Sequence, residues 1–352
     1  MEVSQIVAPN TAALRDQWDE LRNRNPGLRI RNAAQHLGVS ELQLLLTEPE
    51  SKVQRLDPAF ADIYQGISLL GPVMTLARND EVVHETTGIM GKFSVTGNGA
   101  MGICLGEIDL RVFFSHWKHG YAVTEYGAKG DRRSLQFFDA AGGALHKIYA
   151  VDKTDMSAWS ALVEKYHSVD QRPAIDLRPL PGIKRYQGSV DRDGLRADWQ
   201  GITDVHEFHG MLQKHSLDRL TALENIGVDW AFPIASDSLE TVLKSASDAD
   251  VPVMIFVGNR GIVQIFTGGV SRLVNIPGWF NVLDATFNLH VFSAGVKSVW
   301  VVRRPSEDGV ISSVDGFNAS GELVFSVFGE RKPGKPELDG WRKLVDSLRS
   351  RR

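Results

Sequence analysis

The chain has a single cysteine among its 352 residues and no excess of positive charge. Because Cys104 has no partner in the sequence, an intrachain disulfide is excluded, and the composition gives no support to an oxidising compartment. The formal net charge is −4 at pH 7, so no global positive field draws the protein to nucleic acid or to an anionic membrane. Any anion that the chain binds must therefore be held by local arginines.

Long hydrophobic runs are also missing. The most apolar stretch, Val251 to Val257, is far shorter than the roughly 20 residues of a membrane-spanning helix. The first residues, Met1 to Ile6, lack the basic segment and the apolar segment of a signal peptide. We therefore expect a cytoplasmic protein.

Several catalytic signatures are absent as well. The sequence contains no glycine-rich phosphate loop, no Gly-x-Ser-x-Gly nucleophile elbow and no His-Glu-x-x-His zinc motif. The enzyme classes that depend on these motifs therefore gain no support.

What the sequence does contain is an internal repeat. The segment from Leu110 to Phe113 reappears at Leu289 to Phe292, and the segment from Phe138 to Gly142 reappears at Phe317 to Gly321, each 179 positions later. Both halves also close with a Trp-x-x-Leu-Val pattern, which begins at residues 159 and 341. Three matches in the same order predict two structural repeats. We place an N-terminal repeat at residues 1–168, a connector at 169–200 and a C-terminal repeat at 201–352.

Each repeat begins with helical periodicity and continues with short strands. Leu14, Trp18 and Leu21 follow each other at spacings of four and three, and Phe208 and Leu212 are four residues apart. The strands are separated by turn residues and lie too close together for helical crossovers, so they should pair antiparallel. Their predicted ranges are 82–87, 102–105, 110–114, 253–256, 263–267, 299–302 and 323–327. The fold class is therefore α+β and duplicated, each half having N-terminal helices and a large antiparallel sheet.

Residues 203–209 predict a helix N-terminus that carries two histidines. Asp204 and Glu207, three residues apart, fit a capping box. His206 and His209 then share one face of the first turn, and an imidazole in such a position can bind iron. From the spacing alone, an ordinary surface histidine pair is the favoured interpretation. A zinc site has less support, because no further cysteine or histidine lies at a matching spacing.

An arginine and an aromatic residue share one face of a predicted strand. Alternation places Arg111 and Phe113 on the same side. A guanidinium beside an aromatic ring can cover a planar ligand and donate hydrogen bonds to an oxygen ligand. The alternative is an exposed arginine that pairs with Asp109 or Glu107.

Two further arginines are candidates for binding ligand carboxylates. Arg219 lies on the helix that follows the histidine pair, and Arg331 follows the last predicted strand together with Lys332. Arginine binds carboxylates in a bidentate manner. A solvated surface charge is the ordinary role of such residues and stays the alternative here.

Residues 33–42 have a residue pattern typical of a helix-turn-helix. Its recognition helix would run from Glu41 to Glu50, a segment with three glutamates and no basic residue. Such a surface repels phosphate. We therefore expect no nucleic-acid binding, and a role as a regulator is a third and weaker hypothesis for function.

Four segments are long and specific enough to compare with known families. They are residues 108–118 (IDLRVFFSHWK), 203–206 (TDVH), 256–261 (FVGNRG) and 263–268 (VQIFTG). Together with the duplication and the LGVS sequence at residues 37–40, they resemble the bacterial hemin-transport and hemin-degrading proteins of the HemS, ChuS and HmuS group. The resemblance spans nearly the whole chain.

This resemblance implies that heme is held in a cleft by the C-terminal half. His206 would be the proximal axial ligand of the heme iron, and Arg111 would be the distal arginine and catalytic residue, with Phe113 beside it. The other residues implied to bind the cofactor are Arg219 and Arg331 near the propionates, His209 one turn from His206, and His84, which would offer a second and weaker heme contact.

The sequence departs from the family pattern at three positions. Phe328 stands where relatives carry a tyrosine, and Ser326 and Arg304 stand where a glutamine and a lysine are expected. We expect Arg304 and Phe328 to border the cofactor nevertheless. Loss of the tyrosine hydroxyl removes a hydrogen bond worth about 0.5–1.5 kcal/mol.

Family members divide between two activities, and the sequence does not separate them. In the favoured hypothesis the protein degrades heme during heme-iron uptake, with an electron donor, and Arg111 polarises the oxygen that reduced iron binds opposite His206. In the alternative it is a non-catalytic carrier that delivers heme to a separate heme oxygenase. Its partners would be heme and either that oxygenase or the inner-membrane heme importer, and both a monomer and a homodimer remain open.

Overall fold

The computed structural model describes residues 11–127, 130–182, 184–204, 207–332 and 334–351. The strands form two large antiparallel sheets, and helices pack against them. The predicted α+β class is therefore confirmed. By internal contacts the chain divides into two compact units, which are described in turn.

The first unit contains the residues up to Ala77 together with Glu85–Pro181 and Asn259–Val263. Its helices are α1 (Thr11–Arg24), α2 (Ile30–Leu37), α3 (Glu41–Leu45), α4 (Phe60–Ile67) and α5 (Met156–Lys165). The strands are β1 (Val53–Leu56), β2 (Pro72–Arg78), β3 (Val82–Ile89), β4 (Phe93–Thr96), β5 (Met101–Cys104), β6 (Asp109–Phe113), β7 (His119–Glu125), β8 (Arg132–Phe138) and β9 (Ala144–Ala150). Strands β1, β7, β8, β9 and β2 pair antiparallel in that order, and β4, β5 and β6 form a meander.

The second unit contains Arg78–His84, Gly182–Gly258 and the residues from Gln264 onwards. Its helices are α6 (Arg192–Gln200), α7 (Glu207–Lys214), α8 (Arg219–Asn225), α9 (Ser238–Asp248) and α10 (Asp339–Ser347). The strands are β10 (Ala231–Ile234), β11 (Val253–Asn259), β12 (Ile262–Gly268), β13 (Leu273–Ile276), β14 (Trp279–Leu283), β15 (Phe287–Phe292), β16 (Ser298–Arg304), β17 (Ile311–Phe317) and β18 (Leu323–Gly329). Strands β10, β16, β17, β18 and β11 pair in the same order as their counterparts in the first unit, and β13, β14 and β15 form a second meander.

The turns also recur at equivalent positions of the two repeats. Gly142 and Gly321, both with φ of 78°, lie in the tight turns that join β8 to β9 and β17 to β18. Both turns lie in the repeated segments that begin at Phe138 and Phe317. Gly38 ends α2 with φ of 67°, and Ser216, 178 positions later, follows α7 with φ of 55°. The left-handed conformation favours glycine, so the second repeat tolerates some strain at Ser216 in order to keep the same helix-to-helix turn.

Each unit takes in a short hairpin tip from the other half of the sequence. Residues 78–84 belong to the second unit and residues 259–263 to the first. Asn79 Nδ2 donates to the carbonyl oxygen of Val324 at 2.8 Å, and Asn259 Nδ2 donates to that of Leu145, also at 2.8 Å. Leu145 and Val324 are themselves repeat equivalents, 179 positions apart. Contiguous sequence halves do not reveal this exchange, because it depends on two asparagine amides that bond to distant main-chain carbonyls.

One helix was missed in the connector predicted for residues 169–200. Helix α6 begins after Asp191, whose side chain accepts a hydrogen bond from Gly194 N at 3.0 Å. Leu195 and Trp199, four residues apart, are both fully buried. Pro173, Pro179 and Pro181 precede this helix, and its helical periodicity covers too few residues to be conspicuous in the sequence.

The core of each unit lies between its sheet and the helices packed on it. In the first unit, Leu135 and Ile148 pack with residues of α4 and with Trp159 of α5. In the second, Val314 and Val327 pack with residues of α9 and with Trp341 of α10. The two closing tryptophans predicted from the repeat are therefore core residues.

The recognition segment of the helix-turn-helix interpretation begins with a helix whose leucines lie in two smaller hydrophobic clusters of the first unit. Helix α3 spans only Glu41–Leu45, and it buries Leu42, Leu44 and Leu45. The Glu41 carboxylate is also buried and forms an ion pair with Lys147. This helix therefore offers no free face to a DNA groove. Among the described residues, no helix is both long and apolar enough to span a bilayer.

Candidate functional site

The turn that leads into α7 is held by the side chain of Glu207. One carboxylate oxygen, Oε2, accepts hydrogen bonds from the backbone N–H of Thr203 at 2.9 Å, from that of Asp204 at 3.1 Å and from the Thr203 hydroxyl at 3.2 Å. These hydrogen bonds lower the pKa of Glu207. The predicted role of Glu207 as the reciprocal member of a capping box is therefore confirmed. His206, the predicted iron ligand, lies between the anchored residues in sequence but outside the described residues.

His209 is exposed on α7. Its Nε2 atom lies 3.0 Å from the side-chain nitrogen of Gln213, one turn further along the helix. This contact leaves the imidazole on the surface, where ligand and solvent can both reach it. Its role as a ligand stays a prediction.

Behind α7, two arginines share one buried carboxylate. Arg304 Nη2 lies 2.8 Å and Arg219 Nη1 3.5 Å from the same oxygen of Asp315. Both guanidinium groups also lie over the ring of Phe208, at 4.6 Å and 5.0 Å from its centroid. Arg304 donates in addition to the hydroxyl of Ser313 at 3.0 Å. The structure thus brings two of the predicted arginines together through Asp315 and Phe208, which sequence reasoning had not assigned to the site.

This group, the Asp315 cluster (Phe208, Arg219, Arg304, Ser313 and Asp315), carries an excess of one positive charge. Burial alone would raise the pKa of Asp315, but the two arginines outweigh this effect and lower it. Burial, reinforced by repulsion from Arg304, lowers the pKa of Arg219 to about 10, so Arg219 is still charged at neutral pH. The Arg219 side chain is 31% exposed while Asp315 is fully buried. The uncompensated charge can therefore attract an anionic group that approaches Arg219.

The equivalent positions of the first unit lack this excess. Glu41 stands 178 positions before Arg219, and Gln136 and Lys147 stand 179 positions before Asp315 and Ser326. Glu41 and Lys147 pair with each other in the core, so their charges cancel. The two repeats have the same framework, but among these equivalent positions the excess positive charge that can attract an anion lies in the second repeat.

The departures from the family pattern lie on the same sheet face. Ser326 is directly opposite Asp315 in the β17–β18 register, and Phe328 is directly opposite Ser313, so each pair shares one face. Phe328 packs its ring edge-on against Phe256 at 5.2 Å. The position thus contributes an apolar wall rather than a hydroxyl.

Arg331 lies beyond the end of β18 and is held by a weaker contact. Its Nη2 atom is 3.7 Å from Asp308, and Lys332 is 3.9 Å from Glu330. Neither side chain has a recorded contact with the Asp315 cluster. A role for Arg331 at the propionates stays a prediction.

In the first unit, Arg111 and Phe113 occupy one face of β6, as predicted. Both are half-buried, whereas Leu110 and Val112 between and beside them are fully buried. The Arg111 guanidinium pairs with Asp109 and donates to the carbonyl oxygen of Leu110 at 3.0 Å. The alternative interpretation, pairing with Asp109, is therefore correct as to the contact, and 30% of the Arg111 side chain stays exposed for a further one.

His84 is more deeply placed than a second heme contact requires. Its ring is fully buried, and it meets the ring of Phe287 edge-on at 5.0 Å. Phe287 in turn stacks on Phe266 at 3.8 Å. Contact between His84 and a heme would thus need local opening of this aromatic packing, and the role of His84 stays a prediction.

Comparison with known proteins agrees with the duplication. A family model described as the haemin-degrading HemS/ChuX domain matches residues 38–166 and again residues 216–348. The two matches begin 178 positions apart, within one residue of the offset of 179 between the repeated segments. They cover more than half of the chain.

Relatives match over nearly the whole length. The chain is 33% identical to the hemin transport protein HmuS of Yersinia pestis over 337 residues, which cover 96% of this chain and 97% of the relative. The structure of this chain resembles that of holo-PhuS, a heme-binding protein from Pseudomonas aeruginosa, with a TM-score of 0.89 and 38% identity over 96% of this chain and 99% of that one. It also resembles ChuS, a heme degrading enzyme of Escherichia coli O157:H7, with a TM-score of 0.90 and 32% identity over the same shares. The resemblance inferred from the sequence motifs is confirmed, and the chain belongs to the haemin-degrading HemS/ChuX family.

Proposed function

We propose that this protein binds heme through His206 and handles it in heme-iron uptake. The observation that carries the proposal is the Asp315 cluster beside α7, because a buried excess of positive charge suits a ligand with two carboxylates. The family membership gives the ligand class, since PhuS is described as heme-binding and ChuS as heme degrading.

The residues of the second unit fit such a ligand in three respects. Glu207 accepts hydrogen bonds from the backbone N–H groups of Thr203 and Asp204, so the described residues that precede and follow position 206 are held together. The half-buried ring of Phe328 supplies apolar surface, and Arg219 supplies a partly exposed guanidinium. Neutral imidazole is a common ligand of heme iron.

Arg111 provides the chemistry that separates an enzyme from a carrier. Bound heme supplies an iron that can activate oxygen when an electron donor is present. A guanidinium held by Asp109 on a rigid strand can stabilise negative charge that develops nearby, without reorganising. We propose heme degradation as the activity, with Arg111 as its electrostatic catalyst.

Carriage without degradation is the second candidate. His209 is exposed on α7, and the spacing of three residues predicts that it shares a helical face with His206, so it offers a second imidazole to a departing ligand. Ligand exchange between two histidines favours release to a separate heme oxygenase. In both versions we propose a cytoplasmic protein that receives heme from an inner-membrane importer.

Heme titration tests the binding site, and product analysis tests the activity. His206→Ala should bind heme much more weakly than the wild type and without the wild-type Soret spectrum, while His36→Ala, which changes an exposed histidine at the end of α2, should titrate like the wild type. Wild-type affinity in His206→Ala would reject the assignment. With heme, a reductant, oxygen and catalase, appearance of an open-chain product supports degradation, and full recovery of intact heme supports carriage.

A further inference from the structure

The first unit contains a buried tyrosine–histidine pair that none of the preceding roles uses. Tyr64 on α4 and His146 on β9 are both essentially inaccessible to solvent. The Tyr64 hydroxyl is hydrogen-bonded to Nδ1 of His146. A phenol and an imidazole in a hydrophobic core are unusual, because polar groups bring a desolvation cost that apolar residues avoid.

The duplication provides an internal control for this pair. Phe60, Ile63, Tyr64 and Ile67 of α4 stand 179 positions before Leu239, Val242, Leu243 and Ala246 of α9, and all eight are core residues. His146 stands 179 positions before Phe325. The second unit therefore builds the same helix-on-sheet contact with Leu243 and Phe325, both fully buried. The fold does not require a polar pair at this place.

Other aromatic rings surround Tyr64. The ring centroids of Phe93, Trp117 and Phe137 lie 5.2, 5.3 and 5.4 Å from that of Tyr64. Trp117 is itself oxidisable, and its indole N–H donates to the Gly261 carbonyl oxygen at 2.9 Å, which fixes the ring. Electrons can pass between aromatic side chains at such separations. The pair is thus connected to further redox-capable groups rather than isolated in an aliphatic core.

The route from this cluster leads toward the strand that carries Arg111. Phe114 and Trp117 follow β6 directly in sequence, and their rings contact each other at 5.6 Å. Phe114 also meets Tyr64 edge-on at 6.2 Å. Tyr64 is therefore linked through two aromatic residues to the segment that bears Arg111 and Phe113.

Burial determines how Tyr64 could lose an electron. It raises the pKa of Tyr64 well above the ordinary value of 10.0, so the phenolate is not formed at physiological pH. The neutral phenol is a poor electron donor unless its proton leaves at the same time. Neutral imidazole with an acceptor nitrogen at Nδ1 can take that proton. The hydrogen bond supplies the acceptor at the one atom where it is needed.

We propose that Tyr64 is a redox-active tyrosine, with His146 as its proton acceptor. Tyr64 gives one electron to the oxidant, the phenolic O–H bond breaks, and its proton forms an N–H bond at Nδ1 of His146. The products are a neutral tyrosyl radical and an imidazolium, and the oxidant is reduced by one electron. The oxidants are the one-electron oxidising species that hydrogen peroxide generates from ferric heme, and in this respect the inference rests on the proposed heme binding. The pair would thereby draw oxidising equivalents away from the ligand.

Freeze-quench electron paramagnetic resonance of the heme-loaded protein after addition of hydrogen peroxide tests the proposal. The wild type should give a tyrosyl signal, which ring-deuterated tyrosine narrows. Tyr64→Phe should abolish that signal, while Tyr121→Phe should retain it, because Tyr121 is equally buried in the same unit but its hydroxyl has no hydrogen-bond partner among the described residues.

His146→Phe, which installs the residue of the second repeat, should lower the yield of the radical about tenfold, the equilibrium equivalent of one lost hydrogen bond. Slower radical formation in D₂O would mark the coupled proton transfer, which a merely structural pair does not show.

Two controls keep the outcome interpretable. The double variant Tyr64→Leu/His146→Phe reproduces the pair found in the second unit and should fold and bind heme like the wild type, yet give no radical. A Soret titration comes first, so that heme binding is established independently of the radical. If heme binds and the wild type gives no tyrosyl signal, or Tyr64→Phe leaves it unchanged, the proposal is overturned while the proposed function stands. If heme does not bind, the proposed function fails, and the same variants are compared in the apoprotein with photogenerated ruthenium(III) tris-bipyridyl, where a signal that survives Tyr64→Phe overturns the inference.

Discussion

Asp109 and Arg111 are two residues apart on one face of β6, and the Asp109 carboxylate accepts a hydrogen bond from Nη1 of Arg111. Burial raises the pKa of Asp109, although Arg111 opposes this shift. The pair therefore keeps a half-buried guanidinium in one orientation. Such prior orientation is what makes a charged group effective in catalysis, since it costs no reorganisation during the reaction.

Removal of that support should slow heme degradation without abolishing heme binding. In Asp109→Ala, Arg111 keeps only main-chain acceptors, such as the Leu110 carbonyl oxygen, and it becomes mobile. We expect reductant-driven heme loss to slow by about tenfold, the equivalent of one hydrogen bond, with the ferric Soret band unchanged. A rate equal to that of the wild type would show that Asp109 merely neutralises charge.

The buried carboxylate of Asp315 should be important for stability. Asp315→Ala leaves the buried Arg304 without its ionic partner, and loss of one member of a buried pair typically costs about 3–5 kcal/mol. Urea unfolding should therefore show a strongly lowered midpoint. Gln136→Ala, at the equivalent position of the first unit, is the control, and it should cost less because no buried charge loses its partner. Equal effects in the two variants would contradict this account of the cluster.

The helix that carries Arg219 should be sensitive to acid. Asp218 caps α8 by accepting from Thr221 N at 2.9 Å, and it accepts from Tyr186 N at 2.8 Å. Burial would raise the pKa of Asp218, but these hydrogen bonds and Arg185 lower it below the ordinary 3.8. A carboxylate whose pKa is lowered by folding stabilises the protein at pH values above its ordinary pKa. This contribution is lost as the pH falls through the pKa of the folded state.

Asp218→Ala should therefore lower the free energy of unfolding by about 1–2 kcal/mol at neutral pH, as expected for loss of an N-cap. Asp218→Asn keeps the cap but cannot titrate, so it should flatten the acid dependence relative to the wild type. Urea midpoints measured at several pH values between neutral and strongly acid test both statements. An Asn variant with the acid dependence of the wild type would assign that dependence to another group.

Much of this architecture was predictable, and the exceptions have physical causes. The repeat, the strands and the shared face of Arg111 and Phe113 follow from periodicity, which the sequence records directly. The roles of Phe208 and Asp315 do not follow from periodicity, since they depend on which side chains of α7, β16 and β17 contact one another. The exchanged hairpin tips around Asn79 and Asn259 depend on main-chain acceptors far away in the sequence. Comparison of repeat equivalents, such as Tyr64 with Leu243, could have indicated unusual polar residues from the sequence alone.

His209 should act as a substitute ligand when His206 is removed. It is exposed on α7, its Nε2 atom contacts the Gln213 amide, and the spacing predicts that it shares a helical face with His206. His206→Ala should therefore retain a weaker heme complex that disappears in His206→Ala/His209→Ala. Identical titrations of the single and double variants would leave His209 with no role in binding. A measurable second complex would favour carriage, because exchange between two imidazoles lowers the barrier to release.

Arg111→Ala separates degradation from carriage. Its guanidinium is the positive group that we propose for the oxygen side of the heme, and loss of such a group typically slows catalysis about 10²–10³-fold. The variant should still bind ferric heme, but its Soret band should persist under reductant and oxygen long after that of the wild type has decayed. Arg178→Ala is a matched control, because Arg178 also pairs with an aspartate two residues before it, Asp176, and is exposed on the surface. Catalase must be present in every sample, since free peroxide bleaches heme without help from the protein. If wild type, Arg111→Ala and Arg178→Ala all lose heme at the same slow rate, the guanidinium has no catalytic role, and the protein carries heme rather than degrading it.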